Sequence, residues 1–324
     1  MHQLNLLFVA LVMSVVSSVG NAQTPAYPSK PVRLIVGFAP GGAADYVARN
    51  VSVALGQALG QSVIIENKPG AGSSIAAEQV AKSLPDGYTL LIASPSSISV
   101  NPALSPKLGY RPSDFQPVTK LTSSPVVIAV YPGTGITSVK ELIARAKQDP
   151  GGLNYGTSGN GSAPHLAAAL FGQVADVKMT HIPFRGGSLA IQSVIAGDTQ
   201  LTFGTPPSVL PMIQAGRLRG LAISARERSP LAPSLPGMRE AGLPDYAIEF
   251  WYGFFVPAGT PPAIVQKIFD ATQTVMRQPG IKAALAREGT DVSLSSSPAQ
   301  FAKFLAEDEK FWVNLVKSAE VTVD

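Results

Sequence analysis

The feature that most constrains this chain is a strict alternation of short apolar runs with helical runs, punctuated by Gly, Pro or Asn. Arg33–Phe38, Ser62–Glu66 and Tyr88–Ala93 read as strands, with helical periodicity over Ala43–Leu59 and Ser73–Ser83 between them. Strands separated by helices of this length pair in parallel, so the segment predicts a βαβαβ unit. The loop Asn67-Lys68-Pro69-Gly70-Ala71-Gly72 closes the second strand, and Ser73-Ser74 are placed to cap the next helix.

After Leu121-Thr122-Ser123-Ser124 the alternation restarts. Strands are expected at Val126–Tyr131, Leu153–Tyr155 and Met179–Ile182, with helices at Ser138–Gln148 and Ser162–Phe171. Leu189–Ala196, Leu201–Gly204, Pro207–Gln214 and Leu218–Ser224 continue the pattern, so two α/β units share one plan without repeating a sequence. Ser229–Pro244 is a Pro- and Leu-rich surface loop, and Ile248–Val256 is a dense aromatic strand whose rings read first as core. Helices then follow from Pro261-Pro262 to about Arg277, over Gly280–Glu288 and over Pro298–Ser318.

With 324 residues and 45% hydrophobic against 14% charged side chains, the chain has material for two cores. Leu4–Val19 is apolar and uncharged, and Gly20-Asn21-Ala22 offers small residues for a signal peptidase, so residues 1–22 read as an export signal cleaved after Ala22. The segment before Leu4 lacks Lys and Arg, which leaves an uncleaved anchor as the competing reading. Beyond Ala22 no apolar stretch approaches the roughly 20 residues of a membrane span. The chain has no cysteine, which excludes disulfides, thiolate metal sites and a Cys nucleophile and suits a bacterial periplasm. Its 25 basic and 21 acidic residues are scattered, so the charge gives no basis for nucleic-acid binding.

Catalytic motifs are scarce. His165 and His181 sit in no metal-ligand spacing, and neither a phosphate-loop nor a dinucleotide glycine motif occurs. Gly156-Thr157-Ser158-Gly159-Asn160 places Asn where a nucleophile elbow needs Gly. A serine hydrolase using Ser162 or Ser158 with His165 is the enzymatic alternative. No metal and no cofactor is expected.

Binding motifs are better developed. Phe38-Ala39-Pro40-Gly41-Gly42 joins a strand to a helix with Asp45 one turn on. A helix N-terminus leaves backbone N–H groups unpaired, glycine lets a ligand approach them, and the dipole attracts anions without Lys or Arg. Tyr155-Gly156-Thr157-Ser158-Gly159-Asn160-Gly161-Ser162 repeats this arrangement in the second unit, and Ala93-Ser94-Pro95-Ser96-Ser97 adds hydroxyls at a third strand end. Ligands of open α/β sheets bind outside the carboxyl ends of strands, where all three loops lie. The aromatic Phe38, Tyr155 and Phe184 admit a planar acid, and an aliphatic di- or tricarboxylate fits equally.

These residues carry a resemblance over essentially the whole mature chain. Tyr27-Pro28-Ser29-Lys30-Pro31-Val32, Pro40-Gly41-Gly42-Ala43-Ala44-Asp45 with Ala48-Arg49, Glu66 to Gly72, and Pro85-Asp86-Gly87-Tyr88-Thr89-Leu90 occur in order. Tyr155 to Ser162 with His165-Leu166, Pro183-Phe184-Arg185-Gly186-Gly187, Gly216-Arg217-Leu218-Arg219, and Trp251-Tyr252-Gly253 with Pro257 to Pro261 follow. The chain resembles the Bug family of periplasmic solute-binding proteins, the extracytoplasmic receptors of tripartite tricarboxylate transporters. The resemblance implies a two-lobe Venus-flytrap fold of α/β class, each lobe a largely parallel sheet flanked by helices, with the ligand cleft between them. Residues 23–124 would form lobe 1, 125–250 lobe 2, and 251–324 a return to lobe 1. Phe38, Ala39, Gly41, Gly42 and Asp45, with Ser94 nearby, would cradle a small carboxylate from the first lobe. Thr157, Ser158, Gly161 and Ser162 would do so from the second, with Arg185 in the cleft or at its rim. The implied protein is a monomer that binds solute and serves membrane transporter subunits, or else an orphan sensory or interaction receptor. Two positions depart from the family pattern: Ala169 stands where Glu is common, and Gly204 where Asp often follows the strand.

Overall fold

The computed structural model describes residues 27–105 and 107–318, so the expected export signal lies outside the described residues. The first unit runs β1 (Val32–Val36), α1 (Ala43–Leu59), β2 (Val63–Asn67), α2 (Ser74–Ala81), β3 (Thr89–Ala93) and β4 (Phe115–Pro125). The second runs β5 (Val127–Val130), α3 (Val139–Gln148), β6 (Asn154–Thr157), α4 (Ala163–Ala175), β7 (Thr180–Pro183), α5 (Gly187–Ala196), β8 (Leu201–Gly204), α6 (Pro206–Gln214) and β9 (Arg219–Ile223). The chain then returns through β10 (Glu249–Pro257), α7 (Pro262–Met276), α8 (Pro279–Arg287), β11 (Asp291–Val292) and α9 (Pro298–Ser318).

Two mixed sheets result, one with strand order β11-β4-β10-β3-β1-β2 and the other β7-β6-β8-β5-β9. We call each sheet with its helices a lobe. The βαβαβ part is parallel as its sequence requires, β1 pairing with β2 and β3, and β6 with β7 and β8. The parallel character stops there: β10 runs antiparallel to β3 and β4, and β5 antiparallel to β8 and β9. The strands added antiparallel are those flanking the passages between the sheets.

Central strands are buried on both faces. Leu34 and Val36 of β1 face α1, α7 and α8, whereas Ile35 packs with α2 and the phenylalanines of α9. This is why β1 reads as a continuous apolar run. The polar stretch Leu121-Thr122-Ser123-Ser124, read from sequence as a break between units, is instead the last part of the eleven-residue β4. Two of its hydroxyls are buried in a sheet rather than solvated in a turn: Thr122 is fully buried and Ser124 buried, while Ser123 donates to Glu249. Ser73 is likewise not a side-chain cap: it sits at φ 78° before α2 and its hydroxyl has no partner among the described residues.

The chain passes between the sheets at Pro125–Val127 and again at Ile248–Glu249. Ser224, at the end of β9, ties both passages: its hydroxyl accepts from Val126 N at 2.8 Å and donates to Ile248 O. The C-terminal helix α9 also spans the lobes. Phe301 and Phe304 pack on the first sheet, whereas Trp312, Leu315 and Val316 join the core of the second. Trp251 of β10 and Trp312 both donate to one oxygen of Asp308, each at 2.8 Å. Burial raises the Asp308 carboxyl above its ordinary range against these two bonds and Lys120.

Candidate functional site

The lobes face each other across a cavity of about 30 Å³. Four helices begin at its wall. Gly42 precedes α1, Ser162 precedes α4, Gly186 precedes α5 and Thr205 precedes α6, and none of the four makes a side-chain capping bond. At α1 the first intrahelical bond is Tyr46 N to Gly42 O, so the N–H groups of Ala43 and Ala44 remain available beside the cavity they line. At α5 the first is Ala190 N to Gly186 O, which leaves the Gly187 N–H available on the opposite wall. At α4 the first is Leu166 N to Ser162 O, so the Ala163 N–H is available although Pro164 has none, whereas α6 contributes chiefly dipole because Pro206 and Pro207 have no N–H.

Asp45 organises the first of these ends without lining the cavity. It is 2% exposed, and its carboxylate accepts from Gly41 N at 2.9 Å, Arg49 Nε at 2.7 Å and Asn67 Nδ2 at 3.0 Å. Burial pushes its pKa up, but those bonds outweigh it and hold the carboxyl below its ordinary value. Asn67 also donates to Phe38 O at 3.0 Å, so Asp45 and Asn67 together fix the turn Phe38–Gly42.

The second lobe's loop is held by a histidine pair. The rings of His165 and His181 stack with centroids 3.8 Å apart, and Tyr155 stacks on the far side of His181. His165 Nδ1 accepts from Gly161 N at 3.1 Å, and His181 Nε2 is 2.6 Å from Thr157 Oγ1, which in turn accepts from Gly159 N. Burial, with the neighbouring His181, pushes His165 down to about 3, and burial pushes His181 down to about 4, so both imidazoles are neutral. Ser162 Oγ donates to Gly159 O at 2.6 Å, not to His165. The Ser162–His165 arrangement of a hydrolase is therefore not formed.

Of the residues singled out from sequence, Phe38, Gly42, Ser94 and Ser158 line the cavity. Thr157 and Ser162 lie just behind it, fully buried in the loop. Ala39, Gly41 and Gly161 belong to the seam between the lobes, and Arg185 is exposed outside the cavity. Among the aromatics, Phe38 reaches the cavity while Tyr155 stacks behind it on His181. The structure adds Ser96, Gly187, Thr202, Gly204, Ser208 and Tyr252. Ser96 belongs to the hydroxyl run after β3, Gly187 to the Pro183–Gly187 motif and Gly204 to the departures noted above, whereas Thr202 inside β8, Ser208 inside α6 and Tyr252 carry no sequence signal for the cavity. Among the described lining residues none is Asp, Glu, Lys, Arg or His. A larger groove of about 1060 Å³ lies on the second lobe behind the loop, over the His165–His181 pair. It is wide open, whereas the smaller cavity is where the helix ends converge.

The seam beside the cavity is made of glycines set against backbone and small side chains. A Cβ added to Gly72 would lie 2.4 Å from Asn160 O, one on Gly186 2.8 Å from Ala39 Cβ, and one on Gly289 2.6 Å from Pro206 Cβ. Ser188 Oγ donates across it to Pro40 O at 3.3 Å. The lobes are thus in contact on both sides of the cavity.

A two-lobe α/β molecule with strand-end loops facing each other across a small, uncharged cavity is a periplasmic-binding-protein fold, and the protein is a solute-binding receptor rather than an enzyme. The family model "Tripartite tricarboxylate transporter family receptor" matches residues 47–321. BugT of Bordetella pertussis is 32% identical over 293 residues, covering 90% of each chain. A solved structure described as a periplasmic transporter superposes with TM-score 0.87 at 38% identity, covering 92% of this chain and 100% of that one. Rpa4515 of R. palustris, solved with adipate, gives 0.87 at 32% identity over 91% and 99%. MatC of Rhodopseudomonas palustris, solved with bound malate, gives 0.84 at 32% over 90% and 100%. The chain belongs to this receptor family, the Bug or TctC family of periplasmic solute-binding proteins.

Proposed function

We propose that the chain is exported to the periplasm, loses its signal peptide after about Ala22, and captures a small carboxylate by closing its two lobes. The observation that carries this is the convergence of four helix N-termini on one small cavity lined by no ionised side chain. Unpaired N–H groups at Ala43, Ala44 and Gly187, with the helix dipoles, favour an anion there. Two relatives were solved with carboxylates, adipate and malate, bound. The first-lobe cradle is Phe38, Gly42 and Ser94 shaped by Ala39, Gly41 and Asp45; the second is Ser158 backed by Thr157, Gly161 and Ser162, with Arg185 at the rim. The bound, closed monomer would be what membrane subunits of a tripartite transporter recognise.

Native mass spectrometry of the purified mature protein, followed by thermal-shift titration with mono-, di- and tricarboxylates and aromatic acids, tests this reading. A carboxylate that raises the melting temperature with dose supports it, because selective binding to the folded state must stabilise it. Stabilisation by an uncharged solute and by no acid would overturn it. The mass of the mature chain checks the cleavage after Ala22.

A further inference from the structure

The carboxylate reading leaves open what recognises the rest of the solute, and two hydroxyl-bearing residues lining the cavity bear on it. Ser96 lines the cavity and is fully buried, yet its hydroxyl has no hydrogen-bond partner among the described residues. Buried polar groups are almost always paired, so a free hydroxyl against a cavity marks a place where a ligand group completes the set. Tyr252 lines the same cavity. Tyr27, Tyr46, Tyr110 and Tyr246 each donate to a backbone carbonyl. Tyr252 donates to none of the described residues, and burial raises its pKa, so the phenol keeps its proton as a donor.

The sheet brings the two together. Ser94 and Ser96 follow the end of β3, and the register Gly253↔Ala93 sets Tyr252 of β10 beside that end. Tyr252 on β10 and Ser96 in the turn after β3 therefore both belong to the first lobe, whereas the Gly187 N–H donor belongs to the other.

Charge narrows the class further. A solute bearing an ammonium group would need a nearby carboxylate, and it would face the positive ends of four helices. Asp45, the acid nearest the α1 end, is committed to Gly41, Arg49 and Asn67. At Gly204, a lining position, a Cβ would already lie 2.2 Å from Val209 Cγ2, so an acidic side chain there requires Val209 to move.

We propose that Ser96 and Tyr252 form a neutral hydroxyl subsite that recognises a hydroxyl or oxo group on the bound acid, so that the cleft favours hydroxy and oxo acids and rejects amino acids of the same skeleton. This rests on the carboxylate reading above. Both hydroxyls can donate and accept, as such a group requires.

Calorimetric titration of the full mature chain with two matched series tests it: succinate, malate and aspartate, then propionate, lactate and alanine. The hydroxy acid of at least one series should bind about tenfold or more tightly than its unsubstituted partner, with no measurable binding of the amino acid. Ser96→Ala and Tyr252→Phe should each bring the hydroxy acid close to the unsubstituted acid while leaving the latter's affinity unchanged, which also shows that the variants fold. Aspartate or alanine binding as tightly as its hydroxy partner overturns the subsite. So does a hydroxyl preference that survives both substitutions, or a loss shared equally by all three acids. Failure of all six solutes to bind while an uncharged solute does removes the carboxylate reading itself, a distinct result.

Discussion

The two lobes meet in two places built on opposite principles. At the hinge side, large side chains cross: Trp312 lies against Phe250 with ring centroids 4.8 Å apart, Asp308 holds two indoles, and buried Ser224 clasps both crossing strands. At the mouth, contact is of glycines against backbone or small side chains: Gly72 against Asn160 O, Gly186 against Ala39 Cβ, Gly289 against Pro206 Cβ, and one Ser188–Pro40 hydrogen bond. The first kind of contact buries much apolar area and is costly to separate; the second buries little and can part and re-form. A clamshell needs this asymmetry, and the hinge is where stability and the mouth is where affinity should respond to substitution.

Trp312→Ala should have the largest effect, because it removes a fully buried indole and one of Asp308's two donors. A stability loss of about 3–5 kcal/mol is expected in chemical or thermal unfolding. An unchanged melting temperature would break the hinge half of the comparison. Gly72→Val should do the reverse, weakening binding of the cognate acid about a hundredfold, or about 3 kcal/mol, by blocking closure. Its own stability cost includes at least roughly 1–2 kcal/mol for a left-handed backbone at φ +57° together with crowding of the Asn101 amide in the same lobe, so folding is checked alongside. Calorimetry with solution scattering checks this, the variant staying open with ligand present. Ser224→Ala leaves Val126 N–H and Ile248 C=O without their partner and should lower stability by about 1–3 kcal/mol, again by unfolding, with little change in the closed cavity.

The smallest effect sharpens the mouth half. His165 and His181 are neutral in the folded protein, whereas unfolded imidazoles protonate near pH 6.5. The unfolded state then binds more protons, so stability is fully present above about pH 6.5 and is lost as pH falls toward 4 and then 3. A slope on the order of 1 kcal/mol per pH unit is expected between pH 6 and 4, allowing for the partial exposure of His181. Melting temperatures across that range should show it, and His165→Gln should flatten it. The loop Thr157–Gly161 hangs on this pair, so acid should loosen the mouth before the hinge.

Much of this was legible in the sequence where the cause is local. Gly41-Gly42 and the Gly156–Gly161 run announce strand-to-helix turns with accessible N–H groups, because glycine and the change of period are written side by side. Asp45 was legible as important but not as what it is, a clasp for Gly41, Arg49 and Asn67; only the fold brings Asn67 within reach. Tyr252 reads as one more core aromatic until antiparallel pairing sets it beside the end of β3. The polar tail of β4 looks like a linker because Thr122 and Ser124 are buried by neighbouring strands that lie over a hundred positions away. The glycines of the seam are ordinary turn residues until the opposite lobe arrives.

The central claim is that the hinge stays and the mouth moves on a carboxylate. The chain has no cysteine, so Val53→Cys on α1 and Gln192→Cys on α5, both exposed, give a uniquely labelled pair for an electron–electron distance measurement. The account predicts a longer distance without solute that shifts to a single shorter one on addition of the acid that raises the melting temperature. A distance that stays the same while that acid is bound would contradict it.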